Sequence, residues 1–434
     1  MRNVDLVVIG GGAAGMAAAV SAYRAGVKDI LIIERNGYLG GVLRQCIHNG
    51  FGLHRFREDL TGVEFADRYC SMVEELQIPY MLNTFVIEMN ENREITAVNP
   101  DEGLVQIKAE AIVLAMGCRE RTRNNLLIPG PRGAGIITAG TAQRYLNING
   151  YLPGKKVVIL GSGDIGLIMA RQFVLEGAEV EAVVEVMPYS GGLPRNMKQC
   201  IEDFDIPVYY NSTVSEIRGK ERVSSVMVSK VDGDRRPVKG TEFEIQCDTL
   251  MISAGLIPEN ELTEQAGIEI SSGTKGAVVT EDLQTTREGF FACGNVLHVH
   301  DLVDFVASEA EEAGRFAARY IMEKEHGVDA SCESGTQSES AAGYIHVKSG
   351  NGAGPAVPQL INRNIRTDKV AIMFRPRDKY RDVTVKAEQN GTVIFTKKLV
   401  AVTPGEMIRL DIPASEIGAA DGADIVVSLE GGAN

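Results

Sequence analysis

Leu6-Val-Val-Ile-Gly-Gly-Gly-Ala-Ala-Gly15 and Val157-Val-Ile-Leu-Gly-Ser-Gly-Asp-Ile-Gly166 are two copies of one pattern. Each has an apolar strand, then Gly-x-Gly-x-x-Gly, then a stretch with helical character, Ala-rich in the first copy, that ends at a glycine, Gly26 or Gly177. A second apolar strand follows, Ile30–Ile33 or Val180–Val184, and each ends on an acid, Glu34 or Glu185. The offset between Gly10 and Gly161 equals that between Glu34 and Glu185, 151 positions in both cases. In such a unit the first glycine makes the tight turn from strand to helix. The second lets a pyrophosphate approach the backbone, and the third lets helix and strand pack closely. The helix start offers free N–H groups and a partial positive charge to phosphate. The acid accepts hydrogen bonds from ribose hydroxyls. One such loop is a weak signal. Two, each with its acid at the same spacing, predict two dinucleotide sites.

The rest of the chain bounds the reading. Its 434 residues suggest two to four domains. A net charge of −14 argues against nucleic acid and anionic membrane surfaces as partners, because both demand basic patches. No apolar run reaches the length of a transmembrane helix, and the start reads as a short buried strand rather than an export signal. Seven dispersed cysteines without any Cys-x-x-Cys lack the ligand spacing of iron–sulfur or zinc-ribbon sites. That usage fits a reducing cytoplasm.

Three more segments narrow the match. Ile112-Val-Leu-Ala-Met-Gly117 and Leu250-Met-Ile-Ser-Ala-Gly255 each end a strand in small residues, and Thr285-Thr-Arg-Glu-Gly-Phe-Phe-Ala-Cys-Gly-Asn295 follows. Here the chain resembles the pyridine nucleotide–disulfide oxidoreductase superfamily over roughly residues 3–325. The family carries Thr-x-x-x-Gly-x-Phe-Ala-x-Gly-Asp near the end of its FAD domain. The resemblance implies an α/β fold of two Rossmann-like domains, an FAD domain interrupted by an inserted NAD domain. It implies that Gly10, Gly12, Ala13, Ala14, Gly15, Glu34 and Arg35 hold FAD, joined by Gly40, Gly41, Ala115 and Gly117. Val86 should lie by the adenine, and Gly294 and Asn295 by the ribityl chain and pyrophosphate. The family's Asp is Asn295 in this chain, which removes a negative charge but leaves an acceptor. For the second dinucleotide the resemblance implies Gly161, Gly163, Asp164, Ile165, Gly166, Glu185 and Gly255. Glu185 favours NAD(H), since a carboxylate repels a 2′-phosphate and no Arg or Lys follows it directly.

The disulfide reductases of this family place two cysteines after a Gly-Gly. Aligned on Gly40-Gly41, those cysteines fall on Leu43 and His48, while Cys46 lies between them with no second cysteine in the segment. A disulfide reductase is therefore not expected. His48 is a candidate to hydrogen-bond the flavin or relay a proton, against a plain structural role. Cys46 is a weaker catalytic candidate than a packed, inert thiol. His298-Val-His300 has the form of a metal-binding pair but no third ligand at a telling spacing, so no metal is expected. The helix that follows should aim its N-terminus, near Asp304–Val306, at the flavin pyrimidine.

The boundaries read as FAD domain 1–120, NAD domain 121–250, FAD domain again 251–330, a polar linker 331–345 and a small all-β domain 346–434. The last resembles a β-sandwich: Val383–Ala387 alternates, Asn390-Gly391 turns, and Thr392–Phe395 returns. Gly40–Leu53 and Met116–Arg121 look like a subfamily whose members accompany other dehydrogenase subunits. These include flavoproteins paired with anaerobic glycerol-3-phosphate dehydrogenases and, as more distant kin, subunits of opine, proline and cyanide-forming dehydrogenases. The implied role is an electron bridge between NAD and a second dehydrogenase or electron-carrier subunit. Competing readings are a self-contained NADH oxidase, an amine or opine dehydrogenase subunit, and a scaffold that keeps FAD for structure.

Overall fold

A computed structural model describes residues 1–326, 343–418 and 423–433; the proposed linker lies outside these up to residue 342. The chain divides into two compact units, Met1–Cys118 with Pro258–Asn434, and Arg119–Ile257.

The first unit is built on a seven-stranded sheet. Arg2–Ile9 pairs in parallel with Ile30–Ile33 on one side and Gly103–Leu114 on the other, the arrangement of a Rossmann sheet. Val7, Val8, Ile32 and Val113 are fully buried, as central strands covered on both faces require. The far end of Gly103–Leu114 pairs in parallel with Phe290–Ala292, so the segment that returns after the insertion completes the same sheet. The Ala13–Arg24 helix packs against the long Val303–Glu325 helix. Alanines line this contact, and a β-carbon at Gly314 would sit 2.1 Å from the Ala18 carbonyl oxygen. Small residues let the two backbones touch, which explains the Ala-rich sequence of the first helix.

The second unit repeats the theme. Five parallel strands run in the order Ile136–Thr138, Thr249–Ile252, Lys156–Leu160, Glu179–Val184, Val208–Tyr209. The Asp164–Leu175 helix covers them through Leu167, Ala170 and Phe173. Ser212–Arg218, Ser225–Lys230 and Phe243–Gln246 form a separate antiparallel sheet.

Beyond residue 343 the described chain is all β. A five-stranded and a three-stranded sheet share one core that includes Ile345, Phe374, Val385 and Leu410. The Tyr380–Gln389 and Thr392–Val402 hairpin turns at Asn390 and Gly391, both at positive φ, as a type I′ turn needs. This region clusters with the first unit rather than standing as a third one. It is tied to Val279–Glu281 of the FAD-domain return: Val279 N–H donates to the Gln359 side chain and Asn362 N–H to Glu281.

Glu281 is buried, and burial followed by repulsion from Asp282 lifts its pKa to about 7. The sign follows from linkage. The folded state holds this proton over a window, from about 4.5 to about 7, in which the unfolded chain has lost it. Stability is therefore highest below that window and falls as pH rises through it, by on the order of 3 kcal/mol. Glu281→Gln is expected to remove that slope. Urea midpoints of the two proteins should agree at pH 5 and separate in the variant's favour at pH 8; a gap independent of pH rejects the assignment.

Candidate dinucleotide sites

The two glycine loops have matching geometry. A β-carbon at Gly10 would lie 2.4 Å from the Ala115 carbonyl oxygen, and one at Gly161 would lie 2.1 Å from that of Ser253. The two glycines have φ of +109° and +107°, which L side chains avoid. At Gly15 and Gly166 a β-carbon would fall 1.8 and 2.4 Å from the carbonyl oxygens of Gly10 and Gly161. At Gly12 and Gly163 it would meet nothing within 4 Å. The first and third glycines are thus demanded by the protein's own packing, and the second is not. The second faces open space at the start of a helix that has no capping side chain. The first N–H groups of each helix have no intrahelical acceptor. A cradle of this form fits a pyrophosphate.

The acids do something that the spacing did not reveal. The Glu34 carboxylate accepts Gly11 N–H at 2.7 Å and also Asn36 N–H and its side-chain amide, each at 2.8 Å. Glu185 accepts Ser162 N–H at 2.8 Å, Ser162 Oγ at 2.7 Å and Met187 N–H at 2.8 Å. Both carboxylates are buried, and each pins its own glycine loop. A carboxylate offers about four lone-pair sites, so each keeps acceptor capacity for a ribose hydroxyl. Asp164 is turned elsewhere: its carboxylate accepts Leu193 N–H and the Asn196 amide, joining its helix to the Pro194–Cys200 helix. Ile165 is partly exposed at the same helix start. Gly255 has φ +100° and accepts Arg121 N–H on its carbonyl.

In the first unit, Gly40 and Gly41 sit beside the first loop, with Gly40 N–H donating to the Gly11 carbonyl. A β-carbon at Gly41 would be 3.1 Å from Gly12 Cα. Ala13, Ala14 and Ala115 are buried beside this loop, and Gly117 opens onto free space. Arg35 is exposed, whereas Val86 is buried on the Phe85–Met89 strand.

The segment where the family keeps its disulfide begins as a short 3-10 turn, Gly41–Gln45. Cys46 is buried, with its Sγ 3.5 Å from the Val42 carbonyl oxygen. His48 is half-buried; its Nδ1 lies 3.0 Å from the Asn49 carbonyl oxygen and its ring 5.0 Å from that of Phe51. The loop is then clamped to the long helix. Asp304, in that helix's first turn, accepts N–H groups from Gly52, His54 and Arg55 at 2.8–3.0 Å. Arg55 pairs with Glu311 further along the same helix, at 2.5 Å. The helix start expected to face the flavin thus also anchors the loop that carries His48.

Gly294 and Asn295 follow the strand Phe290–Ala292. Asn295 Oδ1 accepts His300 N–H at 2.9 Å. His298 and His300 gain the third group that the sequence hid: Glu309, on the long helix. Their Nε2 atoms lie 2.6 and 3.2 Å from its carboxylate, and all three side chains are buried. Gly294 N–H donates to the same carboxylate at 2.6 Å. These contacts gather around Glu309, while His300 Nδ1 is buried without a hydrogen-bond partner. Burial would raise the pKa of this carboxyl, but the two imidazoles hold it well below the usual carboxylate range. Burial pushes His298 down, toward the neutral imidazole.

Comparison with known proteins agrees with this geometry. Hydrogen cyanide synthase subunit HcnB of Pseudomonas protegens is 28% identical, over 62% of this chain and 60% of its own length. An opine oxidase subunit of Agrobacterium tumefaciens is 26% identical, over 72% and 64% respectively. The chain therefore spans less than two thirds of these two relatives. Thioredoxin reductase of Treponema pallidum is 25% identical over 74% of this chain and 97% of its own. Among solved structures, thioredoxin reductase of T. acidophilum matches 75% of this chain and all of its own, with a TM-score of 0.59 at 22% identity, which speaks to fold alone. A model of one family matches residues 4–317, which takes in both glycine loops and the Gly294–Asn295 turn, and the chain belongs to that family, the pyridine nucleotide-disulphide oxidoreductases.

Proposed function

We propose that this chain passes a hydride between NAD(H) and FAD as the electron-transfer subunit of a multi-subunit dehydrogenase, of the kind that accompanies glycerol-3-phosphate dehydrogenases. The family's cofactors are FAD and a nicotinamide dinucleotide. The observation that carries the reading is the pair of matched loops, each with open space over its second glycine. In this reading the loop at Gly10–Gly15 and its helix start hold the FAD pyrophosphate, with Glu34 fixing the loop. Gly40, Gly41 and Gly294 close around the same cradle. The Gly161–Gly166 loop holds the second dinucleotide, and the Glu185 carboxylate selects against a 2′-phosphate. Bound FAD supplies the hydride-accepting ring. The chain's own work is to place it, exclude water and hold charge nearby.

We read the chain as lacking disulfide reductase activity, because Leu43 and His48 stand where the dithiol would be and Cys46 is packed against Val42. The multi-subunit role draws support from the relatives named as subunits, those of hydrogen cyanide synthase and opine oxidase. Among the described residues no helix is long and apolar enough to cross a membrane. We place the protein in the cytoplasm on its cysteine usage.

Anaerobic titration of the purified chain tests this. NADH should bleach one FAD per chain with two electrons, and NADPH should do so more slowly. Uptake of four electrons would reveal a second redox centre and overturn the argument from Leu43 and His48. Faster reduction by NADPH would overturn the assignment of Glu185.

A further inference from the structure

We propose that Glu309 is a positioning residue of the FAD site, a sealed anion behind the Gly294–Asn295 turn that fixes this turn and holds the flavin potential down. The inference rests on the reading above, in which this turn meets FAD.

Geometry carries it. Glu309 lies on the long helix, 15 positions beyond Gly294, and is 1% exposed. Its carboxylate receives Gly294 N–H at 2.6 Å, His298 Nε2 at 2.6 Å and His300 Nε2 at 3.2 Å. The backbone N–H of His300 in turn donates to Asn295 Oδ1. One carboxylate thus ties the helix to both ends of the 294–300 segment. Gly294 itself has φ +70°, which glycine adopts freely, so the hydrogen bond from its N–H serves to fix one conformation among several open to it.

Charge gives the second half. Against burial, the charge of the two imidazoles and then their hydrogen bonds hold the Glu309 carboxyl down, while burial pushes His298 toward the neutral imidazole, in which form it can bond the carboxylate without cancelling its charge. The Arg375 guanidinium faces the same segment, donating to the Val299 carbonyl at 3.1 Å, but it lies 3.5 Å from the carboxylate of Asp301, which answers it. Cys293, next along the chain, is buried with its thiol pushed well up by burial and then by Glu309, so it adds no charge. Where both imidazoles are neutral, the Glu309 carboxylate is the net charge of this set behind the turn. This accounts for Asn295. An aspartate there, as the family has, would set a second carboxylate on the residue adjacent to the one whose N–H Glu309 holds. Like charges in a low dielectric repel strongly. In this chain the carboxylate beside the turn stands at position 309 and an amide at position 295. An anion near the cofactor disfavours adding electrons to it and lowers its potential.

Glu309→Gln tests this in the full-length, FAD-loaded protein. Glutamine keeps a carbonyl for Gly294 N–H and an amide that donates to His298, but it removes the charge. FAD should stay bound at one per chain. Its midpoint potential, measured against a reference dye, should rise. At a fixed NADH/NAD ratio the reduced-to-oxidised flavin ratio should increase about tenfold, equivalent to about 30 mV for a two-electron couple. Glu309→Asp keeps the charge on a shorter arm. It should bind FAD more weakly at the wild-type potential, and it decides the matter where the glutamine variant loses its flavin. An unchanged potential in FAD-replete Glu309→Gln overturns the proposal, as does a shifted one in Glu309→Asp. Metal analysis of the wild-type protein that finds one divalent ion per chain, lost in His298→Ala, overturns it too, because the carboxylate would then be a ligand. Wild-type protein that binds no FAD refutes the proposed function itself, before any variant is made.

Discussion

Gly12→Val should give a folded, colourless protein, while Gly163→Val should give a folded, yellow one that NADH cannot bleach. Neither valine meets protein at its β-carbon, since open space lies over both glycines. Both residues have negative φ, −78° and −70°, which valine tolerates. The usual objection to a glycine substitution, that it merely unfolds the chain, therefore does not apply. The added β-carbon occupies the volume through which a pyrophosphate would reach the helix N–H groups. The neighbouring glycines supply the control. Gly15→Val and Gly166→Val put a β-carbon 1.8 and 2.4 Å from a carbonyl oxygen and should cost several kcal/mol through overpacking of buried backbone. These should lower the melting temperature or abolish expression. Flavin content, thermal melts and anaerobic NADH titration separate the four. A yellow Gly12→Val protein contradicts the FAD assignment. A Gly163→Val protein that bleaches like wild type contradicts the assignment of the second loop.

The same contrast shows why so much of this fold could be read from sequence. Gly10, Gly15, Gly161 and Gly166 are imposed by hard contacts within a strand–turn–helix unit, so they appear at fixed spacing and need no distant partner. The Asn390-Gly391 turn is legible for the same reason, because two adjacent residues at positive φ leave a local signature. What escaped depends on residues far apart. Asp304 clamps Gly52, His54 and Arg55 across some 250 positions. Glu309 completes the histidine pair from another element, on a helix whose sequence has several other acids. Nothing local distinguishes Glu309 from Glu311, which instead pairs with Arg55. The acids Glu34 and Glu185 were found by spacing, but their grip on Gly11 and Ser162 was not, because it depends on how each strand end turns back to the loop. The docking of the β region on Val279–Glu281 likewise has no sequence signature.

Turnover of the isolated chain is expected to be slow, and a native partner should raise it by at least about a hundredfold. Electrons that enter FAD from NADH, or leave it for NAD, need a second carrier. In the disulfide reductases of the family that carrier is the dithiol, whose positions, aligned on Gly40-Gly41, would fall on Leu43 and His48. Asp304 and the Arg55–Glu311 pair anchor Gly52–Arg55 to the long helix, and Val42, Ile47 and Leu53 are exposed on the segment that leads there. A loop anchored at one end, with exposed aliphatic side chains, suits a docked protein, because anchoring reduces the entropy lost on binding. The measurement compares the purified chain with the same chain recombined with the subunits that co-purify with it, using NADH or NAD and the partner's substrate. Full coupling by the isolated chain to a small organic substrate, on the order of 10 per second, would make it a self-contained enzyme. Replacing Val42 and Ile47 with Asp should leave NADH bleaching of the flavin intact, since neither residue belongs to the glycine loops. The same change should abolish the partner's acceleration, because each buries an unpaired charge at the contact. If acceleration survives both substitutions, the partner docks elsewhere, and the β region beyond residue 343 becomes the surface to probe.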